Sequence, residues 1–536
     1  MERRAKMISF RWEVAAEDGA MLCADAYVPA ETGAFPVILT RTPYGKSAFS
    51  ETAKAWCELG VAFVAQDVRG RYQSGGRWIP YSAEAKDGAA TLKALKRASW
   101  CNGHIALMGE SYGAFTAFLA AQSEIGRQTP SALITLVPAM GLKKTAFTSD
   151  RVFYLGDRLW WDASFGSSRE NIEHLFSAVL NKHSSAVFTL PVIDIPTVFP
   201  MQLANWRRIL ENEHNEESLN LESVHQPCLH IGGWYDPFVS HTIHNFKTLR
   251  KKEKRQALVI GPWSHEVNRI PAFEILHDQK HAVIPLGSLE HAWLESIWSD
   301  KLYPFPEILL YVTGADQWIA PEEWPPAGTM DFTLYLRECR LSTDMPAGGE
   351  NTSSSYTYDP LQPVPSQEYP SKRNEIEKRA DVLVFTSAPF VRDIILSGAP
   401  AVKLWVSSTA PSTDFIVVIT EVYPDGTSVY LTHGHIRTGD EKGGIRPQDV
   451  TISMEPRCHK IKNGRRIRLS ISSSSFPKYA RHLNRNGDQH LQSSPQIAEQ
   501  TIWHSEHMLS HLKIPIENSL LERCSYEFTP GWPTAH

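Results

Sequence analysis

Residues 105–113 read Ile-Ala-Leu-Met-Gly-Glu-Ser-Tyr-Gly, an apolar run that leads directly into a Gly-x-Ser-x-Gly motif. The apolar run 105–108 predicts a short buried strand, and residues 112–121 have the composition of a helix. A serine between a strand and a helix sits on a strained turn, where flanking glycines let the backbone approach closely and the helix N-terminus faces developing negative charge. An inert serine in a glycine-flanked turn is the alternative. The strand–turn–helix context favours Ser111 as a nucleophile.

Apolar, strand-like runs alternate with helical segments on both sides of this motif. The predicted strands are 37–40, 61–66, 105–108, 132–137, 228–231 and 257–260, and the predicted helices are 51–59, 84–97 and 112–121. Strands that are apolar throughout and are separated by helices indicate a parallel sheet with helices on both faces. We therefore predict an α/β domain formed by residues 1–140 and 224–300.

Two further regions depart from this alternation. Residues 141–223 contain helical stretches rich in aromatic and charged residues, inserted between two strands of the sheet, and this predicts a helical cap over the carboxyl edge of the sheet. From about residue 308 onward, strand-like segments are joined by turn clusters such as 424–426, with no long helical pattern. Residues 301–536 are therefore predicted to form an all-β domain of sandwich or jelly-roll type.

A serine hydroxyl is a weak nucleophile unless a base takes its proton. Two polar residues that follow later strands are candidates for that base and for its partner. In folds with this strained turn, the partners follow in the order Ser, Asp or Glu, His, each just after a strand. Asp236 follows the predicted strand 228–231, and His265 follows 257–260. A helix N-cap and an ordinary loop histidine are the structural alternatives. The shared order and position predict a catalytic triad of Ser111, Asp236 and His265.

Acyl transfer through a tetrahedral intermediate also needs hydrogen-bond donors for the oxyanion. One predicted donor is the backbone N–H of Tyr112, the residue after the nucleophile. The second is expected from the loop after an early strand, residues 41–46, which contains no run of glycines. Tyr44 in that loop is the candidate, through its phenol, with plain packing as the alternative.

Several longer segments, spread over nearly the whole chain, resemble one known family. They are residues 41–44, 66–76, 100–113, 233–238, 261–265, 385–390, 406–415 and 464–477. With these motifs the chain resembles the cocaine esterase and X-Pro dipeptidyl-peptidase family of serine hydrolases, nearer to its esterase and acylase members.

The resemblance implies an α/β-hydrolase domain with a helical cap and a C-terminal jelly roll. It also implies the triad of Ser111, Asp236 and His265, with Tyr44 at the family's oxyanion tyrosine. Three features depart from the family pattern. Glu110 before the nucleophile is unusual, and His104 stands where the family commonly has arginine. The first strands begin near residue 10, which leaves no room for the N-terminal helical domain of the larger X-Pro peptidases. We therefore expect an esterase or acylase rather than a dipeptidyl-peptidase.

Charge and apolar patterning limit the partners. Lys and Arg number 54 and Asp and Glu number 59, a formal net charge of −5, and the chain has no long basic block, so we expect no nucleic-acid partner. No apolar run reaches the roughly 18–20 residues that span a bilayer. The first residues lack the apolar core of a secretory signal.

The seven cysteines are scattered without a Cys-x-x-Cys pair, which predicts free thiols and a cytoplasmic protein.

No cofactor or metal is expected, because the chain has no Walker A or dinucleotide motif and His433-Gly434-His435 has no third ligand nearby. The expected activity is hydrolysis of an ester or amide acyl bond of a small molecule through an acyl-enzyme. An acyltransferase passing the acyl group to an amine or alcohol, X-Pro dipeptidyl-peptidase activity and a catalytically silent binding protein are the alternatives. Trp160 and Trp161 are candidate walls of the substrate pocket, with core packing equally open, and a homodimer is left open.

Overall fold

The computed structural model describes residues 7–211, 217–251, 255–269, 279–347, 353–367, 370–439 and 444–528. Strands of the N-terminal sheet are, in chain order, β1 (Ile8–Ala15), β2 (Met21–Val28), β3 (Phe35–Thr42), β4 (Ala62–Asp67), β5 (Cys101–Glu110), β6 (Pro130–Leu136), β7 (Cys228–Gly233), β8 (Gln256–Gly261), β9 (Ile308–Val312) and β10 (Gln317–Ile319). They lie in the order β1-β2-β4-β3-β5-β6-β7-β8-β9-β10. The strands from β4 to β9 in this order run parallel, and β1, β2 and β10 pair antiparallel.

Helices pack on both faces of this sheet and contribute a cap. They are α1 (Ser50–Glu58), α2 (Glu84–Leu95), α3 (Tyr112–Gln122), α4 (Leu142–Ala146), α5 (Leu155–Trp161), α6 (Glu173–Lys182), α7 (Trp206–Leu210), α8 (Val239–Arg250) and α9 (Leu286–Trp298). Alternate strand residues point to opposite faces. Ile38 packs in one apolar cluster with α1 and α9, and Leu39 packs in the other with α2, α3 and α8. The strands are apolar throughout because both of their faces are buried.

The insertion between β6 and β7 holds α4 to α7, a π-helical turn (Asp162–Gly166) and 3₁₀ turns (Ser184–Phe188, Val192–Thr197, Leu221–Ser223). Its aromatic residues form one apolar cluster with Tyr112 and Phe115 of α3. Backbone hydrogen bonds also join it to the C-terminal domain: Gly156 N–H donates to Pro477 C=O and Ala480 N–H donates to Phe153 C=O, both at 2.8 Å. The insertion is therefore packed between the two domains.

The C-terminal domain is rich in antiparallel strands. Its elements are β11 (Met330–Arg337), β12 (Arg340–Ser342), β13 (Ser353–Tyr358), α10 (Asn374–Glu377), β14 (Leu383–Ser387), β15 (Ile394–Gly398), β16 (Ala401–Ser408), β17 (Ser412–Val422), β18 (Ser428–Gly439), β19 (Gln448–Ser453), β20 (Arg457–Ile461), β21 (Arg466–Ser472), β22 (Ala498–Trp503), β23 (His511–Ile516), α11 (Leu520–Cys524) and β24 (Ser525–Tyr526). The short pair β12 and β14 is parallel. An α/β domain followed by a β-rich domain is confirmed.

The two domains share the first sheet. β9 follows the boundary predicted at residue 300, yet it pairs with β8. β24, near the end of the described chain, pairs with β10 at the same edge. An apolar run such as β9 fits either core equally well, so periodicity alone does not reveal the sheet to which it belongs. In the part of the chain that the structure describes, no helix is long and apolar enough to cross a membrane.

Candidate active site

Ser111 lies on a strained turn between β5 and α3. Its φ is 55° and its ψ is −119°, in a region that costs a residue with a Cβ conformational energy. The turn requires Gly109, and Gly113 allows a close approach of the strand β3. A Cβ on Gly109 would lie 2.1 Å from the carbonyl oxygen of Gly113, and a Cβ on Gly113 would lie 3.3 Å from that of Arg41. The Ser111 N–H donates to Leu136 C=O at 2.9 Å, which anchors the turn to the neighbouring strand β6.

Asp236 and His265 meet across the ends of β7 and β8. His265 Nδ1 lies 2.8 Å from Asp236 Oδ1, so Nδ1–H donates to the carboxylate and Nε2 of the neutral ring carries no proton. The two loops approach closely because Gly233 permits it: a Cβ there would lie 2.1 Å from Trp263 C=O. Trp263 C=O in turn accepts the N–H of Tyr235 at 3.0 Å. These backbone contacts between the two loops therefore hold the Asp236 and His265 side chains beside each other.

The electrostatics of this pair suit a general base. The Asp236 side chain is fully buried, and about a third of the His265 side chain is exposed. Burial of His265 disfavours the imidazolium, but the hydrogen bond and the charge of Asp236 outweigh this and raise the pKa of His265. Burial raises the pKa of Asp236, and His265 opposes that shift. The carboxylate therefore stabilises the imidazolium that forms when His265 accepts a proton.

The Ser111 hydroxyl is hydrogen-bonded to Tyr44, whose phenol oxygen lies 3.4 Å from Ser111 Oγ. Burial raises the pKa of Tyr44 to about 12, so the phenol keeps its proton and can donate it in a hydrogen bond. Among the described residues, Ser111 makes no hydrogen bond to His265. The structure therefore brings Tyr44 to Ser111 and Asp236 to His265.

Tyr112 is anchored through its side chain. Its hydroxyl donates to Glu84 Oε1 at 2.9 Å and accepts the N–H of Tyr81 at 2.8 Å. Glu84 also contacts Arg41 Nη2 at 3.0 Å, and burial raises the pKa of Glu84 to about 7. The backbone N–H of Tyr112 belongs to the first turn of α3, where no intrahelical acceptor exists. Sequence reasoning missed the role of Glu84 and Arg41, because no spacing rule relates them to Tyr112.

The two tryptophans of the insertion occupy different positions. Trp161 Nε1–H donates to the Tyr44 hydroxyl at 3.3 Å, and its ring stacks on Tyr112 with centroids 6.0 Å apart. Trp160 instead meets Phe165 edge-on at 5.5 Å. Phe165 was not predicted, although it lies 5.0 Å from the Tyr44 ring and four residues after Trp161, on the same helical side. Trp161 is hydrogen-bonded to Tyr44 and Phe165 packs edge-on against it, whereas the ring contact of Trp160 is with Phe165.

His433 is held by two tyrosines, Tyr430 and Tyr479. Its Nδ1 and Nε2 lie 2.8 Å from the hydroxyl oxygens of Tyr430 and Tyr479, respectively. Both ring nitrogens are thus engaged within the β-rich domain. Over the described ranges, no three His, Cys, Asp or Glu side chains are grouped so as to hold a metal ion.

Comparison with known proteins covers both domains. Residues 18–266 match the family model of the X-Pro dipeptidyl-peptidase (S15 family), and residues 304–513 match that of the X-Pro dipeptidyl-peptidase C-terminal non-catalytic domain. The cocaine esterase of Rhodococcus sp. (strain MB1 Bresler) is 27% identical over 533 residues, which cover 88% of this chain and 91% of the esterase.

Two solved structures share the fold over almost the full length. An α-amino acid ester hydrolase is 19% identical with a TM-score of 0.80, covering 96% of this chain and 98% of its own. An aminopeptidase of the marine sediment archaeon Thaumarchaeota archaeon is 20% identical with a TM-score of 0.80, covering 96% and 97%. Since the two family models are matched in succession and the esterase aligns through both domains, the chain belongs to the cocaine esterase and X-Pro dipeptidyl-peptidase family of serine hydrolases.

Proposed function

We propose that this serine hydrolase cleaves an ester or amide acyl bond of a small molecule through an acyl-enzyme on Ser111, with His265 as general base and Asp236 as its partner. The observation that carries the proposal is the 2.8 Å contact between His265 Nδ1 and Asp236 Oδ1, at the strand ends beside the strained turn of Ser111. Nucleophilic catalysis by serine needs a base that is itself oriented by a third group.

The first step transfers the acyl group to the enzyme. Ser111 Oγ attacks the carbonyl carbon while His265 Nε2 takes its proton. The imidazolium, stabilised by Asp236, then returns the proton to the leaving alcohol or amine. In the second step, water takes the place of the leaving group. His265 removes a proton from the water, which attacks the acyl carbon. The bond from that carbon to Ser111 Oγ then breaks, and the imidazolium returns the proton to Oγ, which releases the acid and restores the Ser111 hydroxyl.

The resting hydrogen bond between Tyr44 and Ser111 suggests how the oxyanion is stabilised. When a substrate carbonyl enters, the Tyr44 phenol transfers its hydrogen bond from Ser111 Oγ to the carbonyl oxygen, and the hydroxyl of Ser111 becomes available to His265. The backbone N–H of Tyr112 is the second donor. Both donors are fixed before substrate arrives, Tyr44 by Trp161 and Tyr112 by Glu84, so they need little reorganisation during the reaction.

The pocket for the acyl group is proposed to lie against Trp161 and Phe165, since both rings contact Tyr44. Large aromatic surfaces of this kind favour an apolar or aromatic acyl group. The test is a series of p-nitrophenyl esters of increasing acyl length and a benzoyl ester, assayed with the wild type and Ser111→Ala. A fluorophosphonate probe measures the fraction of active protein. Hydrolysis that persists in the Ser111 variant would refute the proposal.

A peptidase is the second candidate, because both matching family models carry the X-Pro dipeptidyl-peptidase name. A p-nitroanilide of an X-Pro dipeptide distinguishes it from an esterase: the peptidase cleaves the anilide with a kcat/KM comparable to that for esters, and the esterase does not. Product analysis with an added amine or alcohol distinguishes an acyltransferase. An acyltransferase forms mainly the amide or ester of the added compound, whereas a hydrolase releases mainly the acid.

A further inference from the structure

Arg71 follows the strand β4, and its side chain is completely buried. Among the described residues, its guanidinium makes no ion pair with a carboxylate. It lies instead over the rings of Tyr72 and Trp78, with Cζ 5.2 and 5.7 Å from their centroids. Removing a cation from water is costly unless hydrogen bonds replace its hydration. The hydrogen bonds of this buried guanidinium therefore indicate what it does.

The guanidinium donates to three backbone carbonyls that belong to two separate segments. Nε–H donates to Pro43 C=O at 2.8 Å, in the loop that follows β3 and carries Tyr44. Nη1–H donates to Phe165 C=O at 3.0 Å and to Ser168 C=O, and both of these residues belong to the cap insertion. Arg71 thus bridges the loop of the proposed oxyanion donor and the segment that forms the proposed acyl pocket.

The two bridged backbones carry side chains that pack against each other. Pro43 directly precedes Tyr44, whose ring meets the ring of Phe165 edge-on at 5.0 Å. Phe165 C=O also accepts the indole N–H of Trp78 at 2.9 Å. A shift of either backbone would move the Tyr44 phenol, whose oxygen lies 3.4 Å from Ser111 Oγ. The guanidinium can therefore fix the position of the phenol without touching the reacting atoms.

We propose that Arg71 is a positioning residue for the oxyanion donor, and that it holds the loop of Tyr44 at a fixed place against the Phe165 segment. The inference rests on the proposed function, since it concerns the same donor. A guanidinium suits this role because it presents several N–H donors in one rigid plane. Hydrogen bonds from a charged donor are also about twice as strong as neutral ones.

Arg71→Lys tests the proposal, because lysine keeps the charge but replaces the planar fork by one ammonium group on a flexible stem. With a p-nitrophenyl ester, kcat should fall by about ten- to a hundredfold and KM should change little, since misplacing a donor costs less than losing it. Rates are expressed per active site, counted by complete titration with a fluorophosphonate probe. Arg71→Gln is a second variant, which removes the buried charge and should show the same split between kcat and KM.

Arg169→Lys is the matched control. Arg169 also joins the insertion to the segment after β4, through its bonds to Tyr72 C=O at 2.6 Å and Ser74 C=O at 2.9 Å. It has no hydrogen bond to the loop of Tyr44, so we expect kcat within about threefold of the wild type.

The Tyr44→Phe background separates positioning from a general loss of structure. The donor is absent there, so Arg71→Lys and Arg71→Gln should lower kcat by less than about twofold. An equal factor in both backgrounds, or wild-type kcat in both Arg71 variants, would overturn the inference and leave the hydrolase proposal intact. Activity that persists in Ser111→Ala would instead overturn the proposed function, and the inference with it.

Discussion

The phenol oxygen of Tyr44 lies 3.4 Å from Oγ of Ser111. The side chain proposed to stabilise the oxyanion is therefore a hydrogen-bond partner of the proposed nucleophile. The phenol is held from its other side by the indole N–H of Trp161, and its raised pKa keeps it protonated. A donor that is oriented and protonated before the reaction begins can stabilise the oxyanion without further rearrangement, as efficient acyl transfer requires.

Removing that donor should slow the chemical step selectively. Tyr44→Phe keeps the ring and its contact with Phe165 and loses only the hydroxyl. We expect kcat to fall by about 10²–10³, the usual cost of one oxyanion donor, with little change in KM, because the ground-state carbonyl gains less from the bond than the oxyanion does. Steady-state kinetics on a p-nitrophenyl ester measure both constants.

Tyr72→Phe is the matched control for Tyr44→Phe. It removes a neighbouring phenol that donates to Tyr44 C=O at 3.0 Å but has no hydrogen bond to Ser111. The Tyr72 hydroxyl also accepts the N–H of Asn171 at 3.1 Å. Both bonds lie away from the reacting atoms, so we expect kcat to change by no more than about threefold. Wild-type kcat in Tyr44→Phe would show that the oxyanion donor that complements the Tyr112 N–H is not the Tyr44 phenol and lies elsewhere in the loop 41–46.

Loss of the nucleophile should abolish covalent labelling. Ser111→Ala should not react with a fluorophosphonate probe and should lose several orders of magnitude in kcat, as other enzymes do when they lose a triad member. Ser264→Ala is the control: Ser264 precedes His265, and its hydroxyl accepts the N–H of Glu266 at 3.4 Å. Intact-mass spectrometry detects the adduct. Labelling that survives in Ser111→Ala would identify a different nucleophile.

The positions of Ser111, Asp236 and His265 could be predicted because apolar runs mark the strands before them and parallel strands end at one edge of a sheet. Contacts such as Tyr112 with Glu84 could not, since the partners lie 28 residues apart and neither helical nor strand periodicity relates them. The contact of Trp161 with Tyr44 spans 117 residues and depends on how the insertion folds back. Local patterns thus predict the elements and their ends, and tertiary packing determines which side chains meet.

The rate of acylation should depend on pH through His265. Its pKa is raised above 6.5, and only the neutral imidazole accepts the serine proton. kcat/KM should therefore rise with pH, reach half of its maximum at a pH above 6.5 and level off at higher pH. Asp236→Asn removes the negative charge that stabilises the imidazolium. The variant should have a midpoint at lower pH and a kcat lower by about 10⁴. A profile that is flat between pH 5 and 8 in the wild type would contradict a histidine base.

The N-terminal domain should not function without the C-terminal chain. A fragment ending at residue 300 lacks β9 and leaves the buried strand β8 as an open edge of the sheet, which favours aggregation. It also loses the hydrogen bonds from residues 477 and 480 that hold the insertion. We expect this fragment to be insoluble or inactive. Size-exclusion chromatography and probe labelling measure its solubility and activity, and a soluble, fully active fragment would disprove the dependence.

Trp161 should contribute to catalysis through Tyr44, and Trp160 should not. Trp161→Phe keeps an aromatic ring against Tyr112 but removes the indole N–H that orients the phenol. The loss of one such hydrogen bond, worth about 0.5–1.5 kcal/mol, should lower kcat by about two- to tenfold. Trp160→Phe, one residue earlier on the same helix, should leave kcat within about twofold.

A double-mutant cycle separates this role from general packing. If the indole acts by orienting the Tyr44 hydroxyl, Trp161→Phe should lower kcat in the wild type and have almost no further effect in Tyr44→Phe, because the group that it orients is already gone. If Trp161 only shapes the pocket, its substitution should lower activity by the same factor in both backgrounds, and the change should depend on the acyl chain. Equal factors across both backgrounds would therefore exclude the link between Trp161 and the oxyanion donor, and place Trp161 in the wall of the acyl pocket alone.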